Sequence, residues 1–540
     1  MTNNDEMAER LRAATELLES VAADRSVLSH LDSDERTRLL SAAGDVFCPD
    51  VEERRQQIRA RRRRTRADKA QRDADILTGT EIRTLRAKPV FTSPNVFPPD
   101  DFAQTDVTDR LAPDTADGTG TARDGTAAPP FREVSEPQHC YVCKEKYSQV
   151  HFFYDQLCPD CAELNFAKRT ETTDLSGRVA LLTGGRVKIG YQAGIKLLRA
   201  GAELIVTTRF PRDSAMRYAQ EPDFADWGDR LEVYGLDLRH TPSVEAFCHH
   251  ITTTRDRLDY IVNNACQTVR RPPEFYRHMM ELETGSLRTM PLEARGLLGE
   301  QQGLSGYDML AAAGDGELDE PRAGASATGE TAEMPGVPGV SNAAQLSQFP
   351  LLPGESHQQG HLFPGGRLDQ DLQQVDLREQ NSWRLTLAQI STVEMLETQL
   401  VNSVAPFVLN ARLKPLMLRT PERDKHIVNV SAVEGQFYRR FKTTRHPHTN
   451  MAKAALNMMT RTSSAEYHQD GIHMNSVDTG WVSDEDPVHI AERKTAEHGF
   501  HPPLDIVDGA ARIVDPIITG HATGEHVYGQ FLKDYGPTDW

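Results

Sequence analysis

The stretch Arg178–Arg199, RVALLTGGRVKIGYQAGIKLLR, decides how the rest of the chain is read. Val179–Leu182 is an apolar run of strand length, and Thr183-Gly184-Gly185 ends it. A helix is expected to begin at Lys188 or Ile189. A strand that turns tightly into a helix leaves free N–H groups at the helix N-terminus, where a phosphate can approach the backbone. Gly184, Gly185 and Gly190 allow that approach, and Thr183, Arg186, Lys188 and Ile189 complete the loop. Glycines alone are weak evidence; the strand–turn–helix context is what makes a dinucleotide loop of them.

Outward from this loop, apolar runs alternate with helical patterns: Val179–Leu182, Leu204–Thr207, Leu231–Tyr234, Tyr260–Val262 and Ile427–Val430. Such alternation predicts an α/β fold over residues 174–540, a Rossmann-like doubly wound parallel sheet with helices on both faces. An insertion at about 270–390 breaks the pattern, and its middle, Gly314–Gly339, is close to low complexity and expected to be mobile. The insertion follows the carboxyl end of the fourth strand, the edge where such sheets bind ligands. A substrate lid, a partner surface and a tether without a role all remain open for it.

These segments resemble the short-chain dehydrogenase/reductase family. Its TGxxxGxG fingerprint is matched by Thr183, Gly184 and Gly190, with Lys188 in place of the middle glycine. The second strand ends in Thr208-Arg209, with no acidic residue to accept from a ribose 2′-hydroxyl. Arg209, with Lys188 or Arg186, would instead pair with a 2′-phosphate, which favours NADP over NAD. Asp237-Leu238 resembles the family's adenine contact. Asn263-Asn264-Ala265-Cys266 is similar to its NNAG segment, and Thr479-Gly480 falls at its Pro-Gly. Tyr528-Gly529-Gln530-Phe531 looks like the last strand.

The resemblance implies hydride transfer assisted by an Asn, a Ser, a Tyr and a Lys. Asn402 and Lys453 match two of these positions. The serine position is Ala432, preceded by Ser431, and the tyrosine position is Thr449. A threonine hydroxyl is a far poorer acid than a phenol of pKa about 10. Ser431, Tyr438, His446 and His448 are the neighbours that could replace the donor. Two readings follow: an NADP(H)-dependent oxidoreductase acting on an unknown carbonyl or alcohol, or a catalytically inactive NADP(H)-binding sensor or scaffold.

Upstream, residues 137–170 carry Cys140-x2-Cys143 and Cys158-x2-Cys161. Two facing knuckles offer four thiolates in a tetrahedron, which suits a closed, structural zinc site. The metal would let a small unit of the zinc-ribbon kind fold with little core. His151 lies between the knuckles and is not needed as a ligand. Residues 89–136 read as a flexible linker, and 1–88 as a helical region. There Met7, Leu11, Leu17, Leu18 and Val21 form an amphipathic stripe within a helix expected from Met7 to Ala43. A charged helix from Glu52 to about Arg86 contains Arg59, Arg61, Arg62, Arg63, Arg64 and Arg66.

The net charge of −18 sets the whole chain against nucleic acid and anionic membrane, so phosphate binding by the arginine helix or the zinc module is the lesser reading. Only 38% of residues are hydrophobic against 26% charged, so part of the chain is expected to stay outside any core. The seven cysteines are odd in number and four are paired in knuckles, which argues for a reducing compartment and a metal. No apolar run approaches the ~18 residues of a membrane helix. The N-terminus MTNNDEMAER has no apolar signal core, and a cytoplasmic location is expected. A homo-oligomer is expected from the family resemblance.

Overall fold

Asp24 and Asp32 interrupt the helix expected from Met7 to Ala43. In this computed structural model, which describes residues 3–47, 51–88, 131–299, 343–355, 359–371, 373–437, 442–483, 485–498 and 501–540, that helix is two. Helix α1 spans Asn3–Ala23 and α2 spans Ser33–Phe47, with a 3-10 turn at Arg25–His30 between them. The Asp24 side chain accepts the Ser26 N–H at 2.8 Å, and Asp32 accepts those of Asp34 and Glu35 at 2.9 and 2.7 Å. Short acidic side chains compete for backbone donors in this way and so start a new helix. Met7, Leu11, Leu17 and Leu18 lie exposed. Helix α3, Val51–Thr78, carries the arginine run, exposed from Arg59 to Arg66; it ends before Gly79, and a separate α4 forms at Glu81–Ala87.

The chain divides into two compact units, Met1–Asp75 and Ile76–Trp540. In the second, β1 (Arg132–His139) pairs antiparallel with β2 (Lys146–Val150), and α5 (Pro159–Thr170) follows. An eight-stranded sheet then forms in the order β10-β9-β8-β7-β6-β3-β4-β5. Its strands are β3 (Val179–Thr183), β4 (Glu203–Thr208), β5 (Leu231–Gly235), β6 (Tyr260–Asn263), β7 (Lys425–Ser431), β8 (Ile472–Asp478), β9 (Phe531–Lys533) and β10 (Gly536–Thr538). All pairings are parallel except β9–β10. The segment resembling the last strand is shifted: Tyr528–Gln530 precede β9, and Gly529 turns at φ 65°.

The helices are α6 (Lys188–Arg199), α7 (Pro211–Ala219), α8 (Thr241–Thr254), α9 (Pro273–Thr284), α10 (Leu292–Gly296), α11 (Ala343–Leu346), α12 (Thr392–Gln399), α13 (Ala405–Met417), α14 (Pro447–Gln469), α15 (Val488–His498) and α16 (Ile506–Thr523). Successive strand residues point to opposite faces. Leu182, Val206, Val262 and Val428 pack with α6 and α16 through Leu197, Ile513 and Ile517. Leu181, Ile205, Ile261 and Ile427 pack with α8 and α13 through Phe247, Leu409 and Leu413. Burial on both faces is why these strands read as unbroken apolar runs.

The described ends of the insertion are tied to the sheet. Glu283 of α9 accepts the N–H groups of Arg212 and Asp213, at 3.2 and 2.9 Å, at the start of α7. Burial pushes its carboxyl up to about 7. Arg270 pairs with Glu355, and with Glu397 at 3.0 Å. Gly314–Gly339 and most of the 89–136 segment lie outside the described residues.

His426, His473, His521 and His526 meet at the amino ends of β7 and β8, and His468 lies 3.4 Å from His473. The His426 Nε2 lies 3.0 Å from His526 Nδ1, and His473 stacks on His526 at 4.7 Å. His521 contacts the Tyr260 hydroxyl at 2.6 Å and faces Asp424 at 3.8 Å, while His473 Nε2 meets the Arg423 carbonyl at 2.9 Å. Burial, then its imidazole neighbours, hold His426 well below its ordinary pKa; burial pushes His473 down to about 4. Folded-state pKa values below the unfolded value of about 6.5 mean that this packing stabilises fully above that pH. The contribution is lost as pH falls from there toward about 4. The unfolding midpoint is expected to drop between about pH 7.5 and about pH 5.5, and His473→Gln to flatten the drop. An unchanged slope in the variant would remove the cluster as the cause.

Candidate functional site

The sheet changes winding direction at β3, which lies between β4 and β6. A crevice therefore opens at the strands' carboxyl ends, where ligands bind in such folds. A cavity of about 1020 Å³ lies there, lined from the β3–α6 turn to the segments after β7 and β8.

The β3–α6 turn depends on two glycines. Gly184 turns at φ 70°, and a Cβ there would stand 2.8 Å from Ala265 Cα. A Cβ on Gly190 would stand 2.3 Å from Asn264 Nδ2 and from the Gly184 carbonyl oxygen. Asn264 Nδ2 closes this side by donating to the carbonyls of Thr183 (3.0 Å) and Gly184 (3.2 Å). Thr183 Oγ1 accepts from Ala265 N at 3.0 Å. Lys188 starts α6 at φ 55°, the left-handed conformation a glycine would take without strain. Burial opposes its charge, but Glu485, Asp371 and Asp369 outweigh that and hold its pKa above the usual. Gly185 and Ile189 complete the turn, with Ile189 also lining the cavity.

Around the outer end of the cavity, the basic residues differ in what holds them. Arg186 is buried and paired with Asp213 at 2.7 Å, and also donates to Gln373 at 3.2 Å. Arg209 follows β4, donates to the Tyr276 hydroxyl at 2.7 Å and lies 4.6 Å from that ring's centre. Asp237 and Leu238 line the same region, and Arg239 holds the Asp237 carboxylate at 2.6 Å. Burial works against that carboxylate's charge, yet Arg239 keeps its pKa low. Thr479 and Gly480, the latter at φ 75°, line the opposite side. Asp478 accepts from Val433 N and Gly480 N, both at 2.8 Å, and so joins the ends of β7 and β8.

At the inner end, Lys453 Nζ is buried and donates to the Val430 carbonyl at 2.8 Å. The hydroxyls of Ser431 and Thr449 are buried with no hydrogen-bond partner among the described residues, and both residues line the cavity. Asn402 sits in a single π-helical turn, Leu400–Val404. Its Oδ1 accepts from Gln267 N at 2.7 Å and its Nδ2 donates to Gln267 O at 3.0 Å. It therefore clamps the chain leaving β6 onto the helix; π-turns of this kind recur at functional sites. His446, at φ 43°, stacks on Trp383 at 3.9 Å and lines the cavity. His448 is buried, and neither ring nitrogen has a partner among the described residues. Tyr438 lies outside the described residues.

Sequence reasoning missed Tyr141, Tyr276, Trp383 and Trp481 in the lining. No periodicity marks them, because each reaches the cavity from a loop or from the insertion.

The sulfurs of Cys140, Cys143, Cys158 and Cys161 all lie within 4.8 Å of one another. Cys143 and Cys158 are 3.7 Å apart, close to the edge of about 3.8 Å in a tetrahedron of Zn–S bonds near 2.3 Å. His151 stands apart from them and accepts the Phe153 N–H at 3.1 Å; burial lowers its pKa to about 4.

Residues 178–283 match the family described as short chain dehydrogenase, and residues 380–501 match the one described as Enoyl-(Acyl carrier protein) reductase. The chain belongs to the short-chain dehydrogenase/reductase family. The two matched segments flank the insertion. An uncharacterised protein of Acanthamoeba polyphaga mimivirus is 29% identical over 390 residues, covering 70% of this chain and 71% of that one. A Streptomyces antibioticus protein named Probable oxidoreductase is 40% identical over 92 residues, 17% of this chain and 30% of that one. The solved Pseudomonas aeruginosa RhlG/NADP complex is 16% identical with a TM-score of 0.40, covering 67% of this chain and 97% of that one. Among the described residues, no helix is long and apolar enough to cross a membrane.

Proposed function

We propose that this short-chain dehydrogenase/reductase is an NADP(H)-dependent oxidoreductase that interconverts a carbonyl and an alcohol. One observation carries the reading. A glycine cradle at a helix N-terminus, flanked by Arg209 and Lys188, opens into the same cavity as Ser431, Thr449 and Lys453. Bound NADP(H) would supply or take the hydride. Thr183, Gly184, Gly185, Ile189 and Gly190 would hold its phosphates, Asp237 and Leu238 its adenine, and Asn264, Ala265, Lys453, Thr479 and Gly480 the inner half. Arg209 and Lys188 would take the 2′-phosphate; Arg186 is spent on Asp213 and supports the loop instead. Burial of the two partnerless hydroxyls favours their donating to a substrate oxygen, since a buried donor left unpaired is costly. Thr449 and Lys453 share a face of α14, one turn apart. Threonine is too weak an acid to give up its proton unaided, so Lys453 stands behind it as the proton source.

The four cysteines would hold a structural zinc, and a thiolate cluster of this kind fits the reducing environment of a cytoplasm. Exposed Leu396, Val404, Phe407, Met451 and Met458, on α12 to α14, support a second copy of the chain as partner.

The test is calorimetric titration with NADPH and, separately, NADH. NADPH is expected to bind more tightly, and Arg209→Ala to weaken it about 10- to 100-fold, the worth of a hydrogen bond to a charged group, with NADH little changed. Equal NADPH affinity in the variant would sink the phosphate assignment. Failure of both nucleotides to bind would sink the enzyme reading, and binding without turnover on any carbonyl would favour a sensor.

A further inference from the structure

We propose that the cysteine module is a wall of the nucleotide cleft and that metal occupancy sets nucleotide affinity through Tyr141. The inference rests on the zinc and NADP(H) readings above. Tyr141 stands inside the first knuckle, between Cys140 and Cys143, so its position follows theirs. Three backbone bonds frame it: Cys140 N to Glu145 O (2.9 Å), Lys144 N to Cys140 O (3.1 Å) and Tyr141 N to Gln156 O (2.8 Å).

From that knuckle the Tyr141 hydroxyl accepts the Trp481 N–H at 2.9 Å. A Cβ on Gly480 would meet it at 3.6 Å. Gly480 and Trp481 form the turn after β8 that lines the cavity, and Tyr141 and Lys144 line it with them. The module also reaches the opposite lip. Ile189 of the phosphate turn packs against the cluster that holds Tyr154 and Leu157 of the module together with Val482, Leu504 and Val507. Lys196 of α6 donates to the carbonyls of Lys168 (3.3 Å) and Arg169 (3.1 Å) at the end of α5. Both lips of the cleft are thus built on a unit whose own secondary structure is one two-stranded sheet and one helix. A pair of strands is marginal without support, and four thiolates around a metal supply it. Opening of the knuckle withdraws Tyr141 from the Gly480–Trp481 turn and breaks its hydrogen bond to the Trp481 N–H.

Three forms of the full chain decide the matter: as purified with zinc measured by elemental analysis, stripped by chelator and then restored with zinc, and Tyr141→Phe. NADPH affinity is read by calorimetry. The stripped protein is expected to bind at least about 10-fold more weakly, and added zinc to restore it. Tyr141→Phe is expected to keep one zinc and its unfolding midpoint, yet to lose about 5-fold in affinity, the equivalent of one neutral hydrogen bond. Wild-type affinity in either the stripped or the Tyr141→Phe protein overturns the inference and leaves the zinc reading standing. A chain that holds no zinc overturns the zinc reading and the inference together. A zinc-loaded chain that binds no nucleotide overturns the NADP(H) reading and, with it, the inference.

Discussion

Lys453→Ala is expected to reduce NADPH-dependent carbonyl turnover by about 100-fold or more, the range associated with losing a positioned acid–base group. Lys453 is buried at 3% exposure beside two hydroxyls that have no described partner, and its amine is anchored by the Val430 carbonyl. Alanine removes the only amine that α14 brings to this end of the cavity among the described residues, and it leaves Val430 O without its donor. Steady-state kinetics separate the outcomes. A fall in kcat with a smaller rise in KM for NADPH assigns Lys453 to the proton path. A rise in KM alone reduces it to a cofactor contact, and full retention of both removes it from the site.

Arg169→Met is expected to cost about 3–5 kcal/mol of stability, the cost of breaking one side of a buried ion pair. Arg169, at 4% exposure, bridges Asp505 (2.7 Å) and Asp508 (2.9 Å) and lies over the Phe153 ring at 4.3 Å. Asp505 caps α16, and its carboxylate accepts from Val507 N and Asp508 N. Tyr154 donates to Asp508 from the same module. Burial works against Asp505's charge, yet Arg169 holds its pKa low. Asp508 goes up, pushed first by burial and then by Asp505. Removing the arginine raises the folded pKa of Asp505, so that the stability it contributes above its unfolded pKa disappears. The deficit should therefore shrink as pH falls and both carboxylates take protons in either state. Denaturant unfolding at about pH 7 and about pH 5 checks this. A deficit below about 1 kcal/mol at the higher pH would mean that the module's helix is not locked to α16 through this residue.

Much of the sheet could be read directly. Val179–Leu182, Leu231–Tyr234 and Tyr260–Val262 were legible, each within one residue of the strand that forms, because a strand covered on both faces needs apolar residues at nearly every position. The glycine turn after β3 was legible because a tight approach excludes side chains, and a Cβ at Gly190 would meet two atoms at 2.3 Å. The N-terminal helix was less so: the helix expected from Met7 to Ala43 runs through Asp24 and Asp32, and only capping chemistry shows that it stops and restarts. The register of Tyr528–Phe531 slipped because Gly529 belongs to the turn that enters β9 rather than to the strand.

The sequence by itself determined the family, the parallel sheet, the glycine turn after β3 and the pairing of cysteines in two knuckles. These depend on local residue spacing and on burial of whole segments, and spacing is written in the chain. Only the tertiary structure decided which charged groups are already paired and what walls the cleft. Arg186 turns to Asp213, Arg209 lies against Tyr276 of the insertion, and Tyr141 reaches Trp481 across 340 positions of chain. Such contacts are fixed by how elements pack, and packing of distant segments leaves no periodic trace in either one.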